Sequence, residues 1–197
     1  MTSFWWVRHA PVRGNNDCCY GNNEVDCDLS DLDSFNKLVL KLPKNSNVFS
    51  SHLSRTIKTF NATVNAGYIY NSHNIDRRLT EQDLGSYTGM KYKDLYALTK
   101  KIGVYDNNWL MKPKFKPPEG ESFKDLYNRV KSFTNDMLLE KHNKNIVIFS
   151  HGGPIRAAIS LALGNGCETI LPLEVDNTKL TRLDYINNNW KVIKVNC

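Results

Sequence analysis

Two strand-length apolar runs, far apart in the chain, each end on a histidine. Phe4 to Val7 stops at Arg8-His9, and Ile146 to Phe149 runs through Ser150 into His151-Gly152-Gly153. A short continuous apolar run bounded by polar residues reads as a strand buried on both faces, as in parallel sheets. Elsewhere the pattern alternates. Ser34 caps a helix carrying Phe35, Leu38, Val39 and Leu42 that stops at Pro43. Val48 to Ser50 reads as a strand, Arg55 to Asn65 as a helix, Tyr68 to Tyr70 as a short strand and Tyr92 to Ile102 as a helix. Ser122 and Asp125 form a capping box before a helix whose apolar face holds Phe123, Leu126, Tyr127, Val130, Phe133, Met137 and Leu138. Pro154 suits the first turn of a helix that ends at Gly164. Leu180 to Tyr185 and Trp190 to Val195 pair as a hairpin through Asn187 to Asn189. Strands separated by helices predict an α/β fold, a three-layer α/β/α sandwich on a mostly parallel sheet. Such sheets bind ligands beyond the carboxyl ends of their strands. If the first and fourth strands are neighbours, His9 and His151 face one crevice.

The 197 residues fit a single domain, taken as residues 1–197. With 41% hydrophobic and 23% charged residues, the composition excludes a disordered chain, a collagen-like repeat and a coiled coil. The net charge of +6 comes largely from scattered lysines, the tightest group being Lys112, Lys114 and Lys116 among prolines. No basic helix or stripe appears, so the charge favours small anionic substrates over nucleic acid. Five cysteines (Cys18, Cys19, Cys27, Cys167 and Cys197) give an odd number with no CxxC pair. That suits reduced thiols in a cytoplasmic protein and neither a disulfide framework nor a metal site. No run approaches the ~20 apolar residues of a membrane span, and FWWV is too short for a signal-peptide core.

Chemistry-bearing residues recur at the predicted strand ends. Arg8-His9 and His151 are the first of these. Ser51-His52-Leu53-Ser54-Arg55-Thr56 follows the second strand and puts Arg55 on the same rim. Arg78-Leu79-Thr80-Glu81, followed by Gly85 and Gly89, sets one carboxylate in a turn-rich loop. Two guanidiniums, two imidazoles and a carboxyl suit phosphoryl transfer. Arg8 and Arg55 offer planar forks of donors to the oxygens of a doubly charged phosphomonoester. A neutral His9 can attack phosphorus and carry the group as phosphohistidine. His151 can donate to a phosphoryl oxygen, and Glu81 can pass a proton to the leaving oxygen. No metal is required by this scheme.

The ordered motifs VRHAP (7–11), SHLSRT (51–56), RRLTEQDLGSYTG (77–89), PPEGES (117–122) and FSHGGPIRA (149–157) resemble the histidine phosphatase superfamily, the phosphoglycerate-mutase-like family, over nearly the whole chain. The resemblance implies the phosphoglycerate mutase-like fold, His9 as the phosphorylated nucleophile, and Arg8, Arg55 and His151 as the rest of the phosphate pocket. It makes Glu81 the proton donor and places Asn15, Gly21 and Gly152 in substrate binding, with no cofactor. The first motif departs from the family's commonest Arg-His-Gly: Ala10 is small enough for the same turn, and Pro11 replaces a usual acidic residue at the pocket lip. RHAPV, the CYG segment (19–21) and the chain length are similar to the bacterial branch of α-ribazole phosphatase-like enzymes. That implies a phosphomonoesterase of small phosphorylated metabolites, α-ribazole 5′-phosphate among them.

Two other functions use the same residues or the same fold: a cofactor-dependent phosphoglycerate mutase, and a regulatory domain without catalysis. The short Glu81-to-His151 spacing argues against the first, and the complete set of five residues against the second. His52, His73 and His142 read as surface histidines, and Cys18 and Cys19 as plain thiols near the pocket mouth. Trp109 and Phe115 lie on a Pro-rich segment that covers the pocket. The partner expected is a small phosphorylated metabolite, with no nucleic acid and no membrane; a homodimer is admitted and not required.

Overall fold

The most apolar strands occupy the middle of the sheet. A computed structural model describes residues 1–14, 17–107, 109–139 and 144–197. Strand β1 (Thr2–Arg8) runs parallel to β4 (Lys144–Ser150), with Trp6 opposite Ile148 and Arg8 opposite Ser150. Outward from β4 lie β2 (Ser46–Ser50) and β3 (Tyr70–Ile75), both parallel. On the other side, β5 (Leu180–Ile186) pairs antiparallel with β1, and β6 (Asn189–Lys194) pairs antiparallel with β5. The sheet order is β3-β2-β4-β1-β5-β6, so the expected mostly parallel sheet is present.

Side chains alternate between the two faces, and both faces are covered. Phe4, Trp6, Ile146 and Ile148 pack against Leu126, Val130 and Phe133 of α4 (Phe123–Leu139) and Ile155 and Ile159 of α5 (Gly152–Leu163). Phe133 meets Trp6 and Phe49 edge-on at centroid distances of 6.3 and 5.3 Å. Val7, Val147 and Phe149 pack on the opposite side against Leu38 and Leu42 from α1 (Leu32–Lys41) and its end, and against Phe60 of α2 (Ser54–Asn65). Each such fully buried aromatic or aliphatic side chain contributes about 1.5–3 kcal/mol relative to exposure. This is the three-layer sandwich. Helix α3 (Tyr92–Lys101) stands apart in a third apolar cluster where Leu95 meets Cys19, Leu84, Tyr87 and Met111.

Local chemistry explains most boundaries. Ser122 and Asp125 form the expected reciprocal box: Ser122 N–H donates to Asp125 Oδ2 at 3.0 Å, and Asp125 N–H to Ser122 Oγ at 3.1 Å. Gly164 takes the left-handed conformation, φ +70°, that closes α5. Asn187 and Asn188, at φ +50° and +62°, make the two-residue turn of the terminal hairpin. Two expectations need correction. Asp31, not Ser34, caps α1: its carboxylate accepts from the Ser34 N–H at 3.0 Å. The third strand begins at Tyr70, and Tyr68 is instead buried in the core under α2. Among the described residues no helix is long and apolar enough to cross a membrane.

Candidate active site

The parallel β1–β4 pairing decides where the chemistry sits. Arg8 faces Ser150 in register, so the next residues, His9 and His151, leave the sheet side by side; the His9 N–H donates to the Ser150 carbonyl at 3.0 Å. Their imidazole centroids are 5.1 Å apart, and both residues are fully buried. The turn after His9 is held by Thr59 of α2, whose Oγ1 accepts from the Ala10 N–H at 2.8 Å, and by Asn177, whose amide donates to the His9 carbonyl at 2.7 Å.

The hydrogen bonds assign opposite tautomers to the two rings. His9 Nδ1 lies 2.7 Å from the Ala10 carbonyl oxygen, an acceptor only, so Nδ1 carries the proton and Nε2 keeps its lone pair. His151 Nδ1 accepts from Arg55 Nε at 3.2 Å, so the His151 proton resides on Nε2. Among the described residues His9 Nε2, His151 Nε2 and Arg8 Nε are buried with no protein partner. Leaving a buried donor or acceptor unmade costs about 1–3 kcal/mol each. A lone pair, an N–H and a guanidinium N–H concentrated in one place fit a phosphoryl group: one atom attacks and two stabilise its oxygens.

Arg55 serves partly as scaffold. Besides His151, it donates from Nη1 to the Asn23 carbonyl at 2.7 Å and from Nη2 to the Gly21 carbonyl at 2.9 Å, which draws the 21–23 loop inward. Two of its five N–H groups remain for an anion. Gly21, at φ +46°, lies so close to the Gln82 carbonyl that a Cβ would approach it to 3.0 Å. Gly152 and Gly153 open α5 with His151 as its cap, bringing the positive end of a 12-residue helix to the same place.

Glu81 arrives from outside the sheet. Ser150 Oγ donates to the Leu79 carbonyl at 2.7 Å, and Arg129 on α4 donates to the Arg78 carbonyl at 2.6 Å and the Glu81 carbonyl at 3.2 Å. Glu121 pairs with Arg129 at 2.6 Å. The Glu81 carboxyl then accepts from the Gly153 N–H at 3.1 Å and the Gln82 N–H at 2.9 Å. A Cβ at residue 153 would stand 2.2 Å from Glu81 Oε1, so glycine is required there for this approach. Arg8 also donates from Nη1 to the Val175 carbonyl. A cavity of about 130 Å³ opens beside this group, lined by Arg8, Glu81, Gly21, Gly152 and Gly153 together with Tyr20, Tyr92, Trp109 and Arg156. The imidazoles themselves do not line it, whereas Arg8 does.

Of the predicted site residues, Arg8, His9, Arg55, Glu81, Gly21, Gly152 and His151 thus converge, while Asn15 lies outside the described residues, as does His142. His52 bonds to Thr80 Oγ1 at 3.0 Å, and His73 to Ser50 Oγ at 2.8 Å; neither lines the cavity. Phe115 stacks on Tyr87, whereas Trp109 faces the cavity. Cys19 lines the cavity, but burial pushes its thiol up to about 11, leaving it protonated and unreactive. Arg129, Asn177 and Arg156 were not legible as site residues. Arg156 had a usable signal, standing four positions after Gly152 on one helix face. Asn177 sits in an irregular loop with no local pattern.

Burial, reinforced by the Arg55 and Arg8 guanidiniums, holds the His9 pKa well below its usual 6.5; burial and then Arg55 act likewise on His151. Both rings stay neutral below pH 6.5 while their unfolded counterparts take up protons. The unfolded state then binds more protons, so stability falls as pH drops below about 6.5, with a slope of up to about 3 kcal/mol per pH unit for the two rings together. Urea denaturation between pH 7 and pH 5 should show this loss, and His9→Asn should remove roughly half of the slope. A slope unaltered by that change would exclude a neutral buried His9.

A buried imidazole with a free lone pair, a second imidazole with a free N–H, arginines and a carboxyl at the carboxyl end of a parallel sheet are groups suited to phosphoryl transfer. The profile of the histidine phosphatase superfamily (branch 1) matches residues 4–197, and the chain belongs to that family. A Hydrogenobacter thermophilus protein provisionally named phosphoserine phosphatase 2 is 29% identical over 100% of this chain and 96% of its own length. Phosphoserine phosphatase 1 of the same organism is 27% identical over 76% of this chain and 69% of its own. The crystal structure of the α-ribazole phosphatase from Shigella flexneri superposes with a TM-score of 0.81 at 21% identity, covering 100% of this chain and 96% of that one, and shares the fold.

Proposed function

We propose that the protein is a cytoplasmic, metal-independent phosphomonoesterase that releases phosphate from small metabolites through a phosphohistidine at His9. The observation that carries this reading is the pair of opposed tautomers. His9 Nε2 attacks phosphorus; the ester P–O bond breaks as Glu81 gives its proton to the departing alcohol oxygen. The N–P bond forms, and the charge left on the ring is stabilised through Nδ1–H and the Ala10 carbonyl. His151 Nε2–H, Arg8 and Arg55 hold the phosphoryl oxygens in water-poor surroundings, where fixed donors act most strongly. Water then attacks phosphorus, yields a proton to Glu81, and the N–P electron pair returns to Nε2 as phosphate leaves. Cationic side chains supply the charge compensation that a metal provides elsewhere. The partner is the small ester alone, without nucleic acid or a membrane surface.

α-Ribazole 5′-phosphate, suggested by the RHAPV and CYG segments, and O-phosphoserine, after the names of the Hydrogenobacter relatives, are the first esters to assay. Rapid acid–base quenching with ³²P-labelled substrate should give label on the protein that is acid-labile and base-stable, with turnover undiminished by a chelator. Label that survives acid, or activity that a chelator abolishes, would overturn the mechanism. Transfer of phosphate to a second alcohol in place of water would identify a mutase.

A further inference from the structure

Arg156 is a cation that the mechanism above does not use. It stands one helical turn beyond Gly152 on α5, and helical side chains tilt toward the N-terminus, which returns its head to the phosphoryl pocket. A Cβ built at Gly152 would lie 3.1 Å from Arg156 Nη1 and 3.8 Å from Arg8 Nε, so the two guanidiniums are neighbours. Arg156 is half-buried, yet among the described residues it has one hydrogen bond to protein, from Nε to the Leu173 carbonyl at 2.7 Å. No carboxylate forms an ion pair with it among the described residues. Its guanidinium lies 4.8 Å from the Trp109 ring centroid, which fixes the plane of the fork. Burial lowers its pKa, with the Glu81 charge the main influence opposing it, and a guanidinium stays charged regardless.

A half-buried cation whose Nη groups are turned into a cavity asks for an anion. The phosphoryl group already has His9, His151, Arg8 and Arg55. Unlike His9, His151 and Arg55, Arg156 lines the cavity, beside Arg8 and together with Glu81, Tyr92 and Trp109, where the alcohol half of the ester must lie if Glu81 is to protonate its oxygen. We propose that Arg156, braced by Trp109, is a specificity residue that binds a carboxylate on the leaving group, so that the preferred substrates are small phosphorylated hydroxy or amino acids. A planar carboxylate matches the two free Nη groups as a bidentate partner, and the modest cavity suits a leaving group of a few carbons. The inference rests on the phosphomonoesterase reading.

The test uses matched esters that differ in the carboxylate: O-phosphoserine against O-phosphoethanolamine, and 3-phosphoglycerate against glycerol 3-phosphate. The wild type should favour the acid of each pair about 10- to 100-fold in kcat/KM, the range expected for one charge-assisted pair. Arg156→Gln should bring each ratio to within about threefold, and Arg156→Lys should restore part of it. Equal losses on both members of a pair would make Arg156 a ligand of the phosphoryl group and overturn the proposal, as would a wild type without preference, which needs no variant to fold. Hydrolysis of neutral esters through an acid-labile phosphoenzyme, without acid preference, sinks this proposal alone. Absence of turnover and of labelled protein with every ester sinks the phosphatase reading, and this one with it.

Discussion

Replacing His9 with alanine should lower phosphomonoester turnover by about 10⁴-fold or more, the scale on which removal of a covalent nucleophile acts. The second imidazole does not substitute. His151 Nδ1 is occupied by the Arg55 Nε–H, so its Nε2 carries a proton and has no lone pair to offer. Protonation does not rescue the variant either, because the nucleophile is lost and not merely titrated. The acid-labile label should vanish with turnover. Binding of inorganic phosphate should persist within about tenfold, since Arg8, Arg55 and His151 remain to hold it. Steady-state hydrolysis of 4-nitrophenyl phosphate, together with quench-labelling and phosphate titration of the same variant, checks all three. Turnover within tenfold of the wild type would remove His9 from the mechanism.

The rim of this site was legible because strand ends are legible. FWWV and IVIF are apolar on both faces, as suits the two central strands of a covered sheet. Once they pair in parallel, Arg8-His9 and His151 emerge together without further information. The edge strand was less readable. Tyr70–Ile75 is largely polar and borders the sheet, so its sequence lacks the apolar signature, and the preceding Tyr68 carried the misleading one. Asp31, Asp33 and Ser34 are all cap formers near the start of α1, and the choice of Asp31 over Ser34 depends on which backbone N–H each oxygen meets.

What sequence patterns do not show is long-range support. Glu81 was recognised by its motif, but its approach to Gly153 depends on Arg129 reaching back from α4 and on Ser150 Oγ clasping the Leu79 carbonyl. Tautomers are of the same kind: an isolated RHA or SHGG carries no record of which ring nitrogen holds the proton. Ala10 and Arg55, through one carbonyl and one N–H, decide it.

The Glu81→Gln substitution tests the last part of the chemistry, and its effect should depend on the leaving group. Glutamine keeps the acceptor oxygen that takes the Gly153 and Gln82 N–H groups, so the loop geometry survives. It has no acidic proton to give. An aliphatic alkoxide leaves poorly unless protonated, and kcat on alkyl phosphates should fall by about 10²- to 10⁴-fold, the usual worth of general acid catalysis. A nitrophenolate is stable in water at neutral pH and needs no proton, so the phosphorylation step with 4-nitrophenyl phosphate should fall far less. The second half-reaction does need Glu81, as base toward water. With the aryl ester the variant should therefore show a burst of nitrophenolate equal to the enzyme present, followed by slow release of phosphate. The phosphoenzyme that is transient in the wild type would then accumulate. An equal loss on alkyl and aryl esters, with no burst, would assign the proton to another group; Asp83, which is bound to the Gly85 N–H at 2.8 Å, is the nearest acid in sequence and the first to examine.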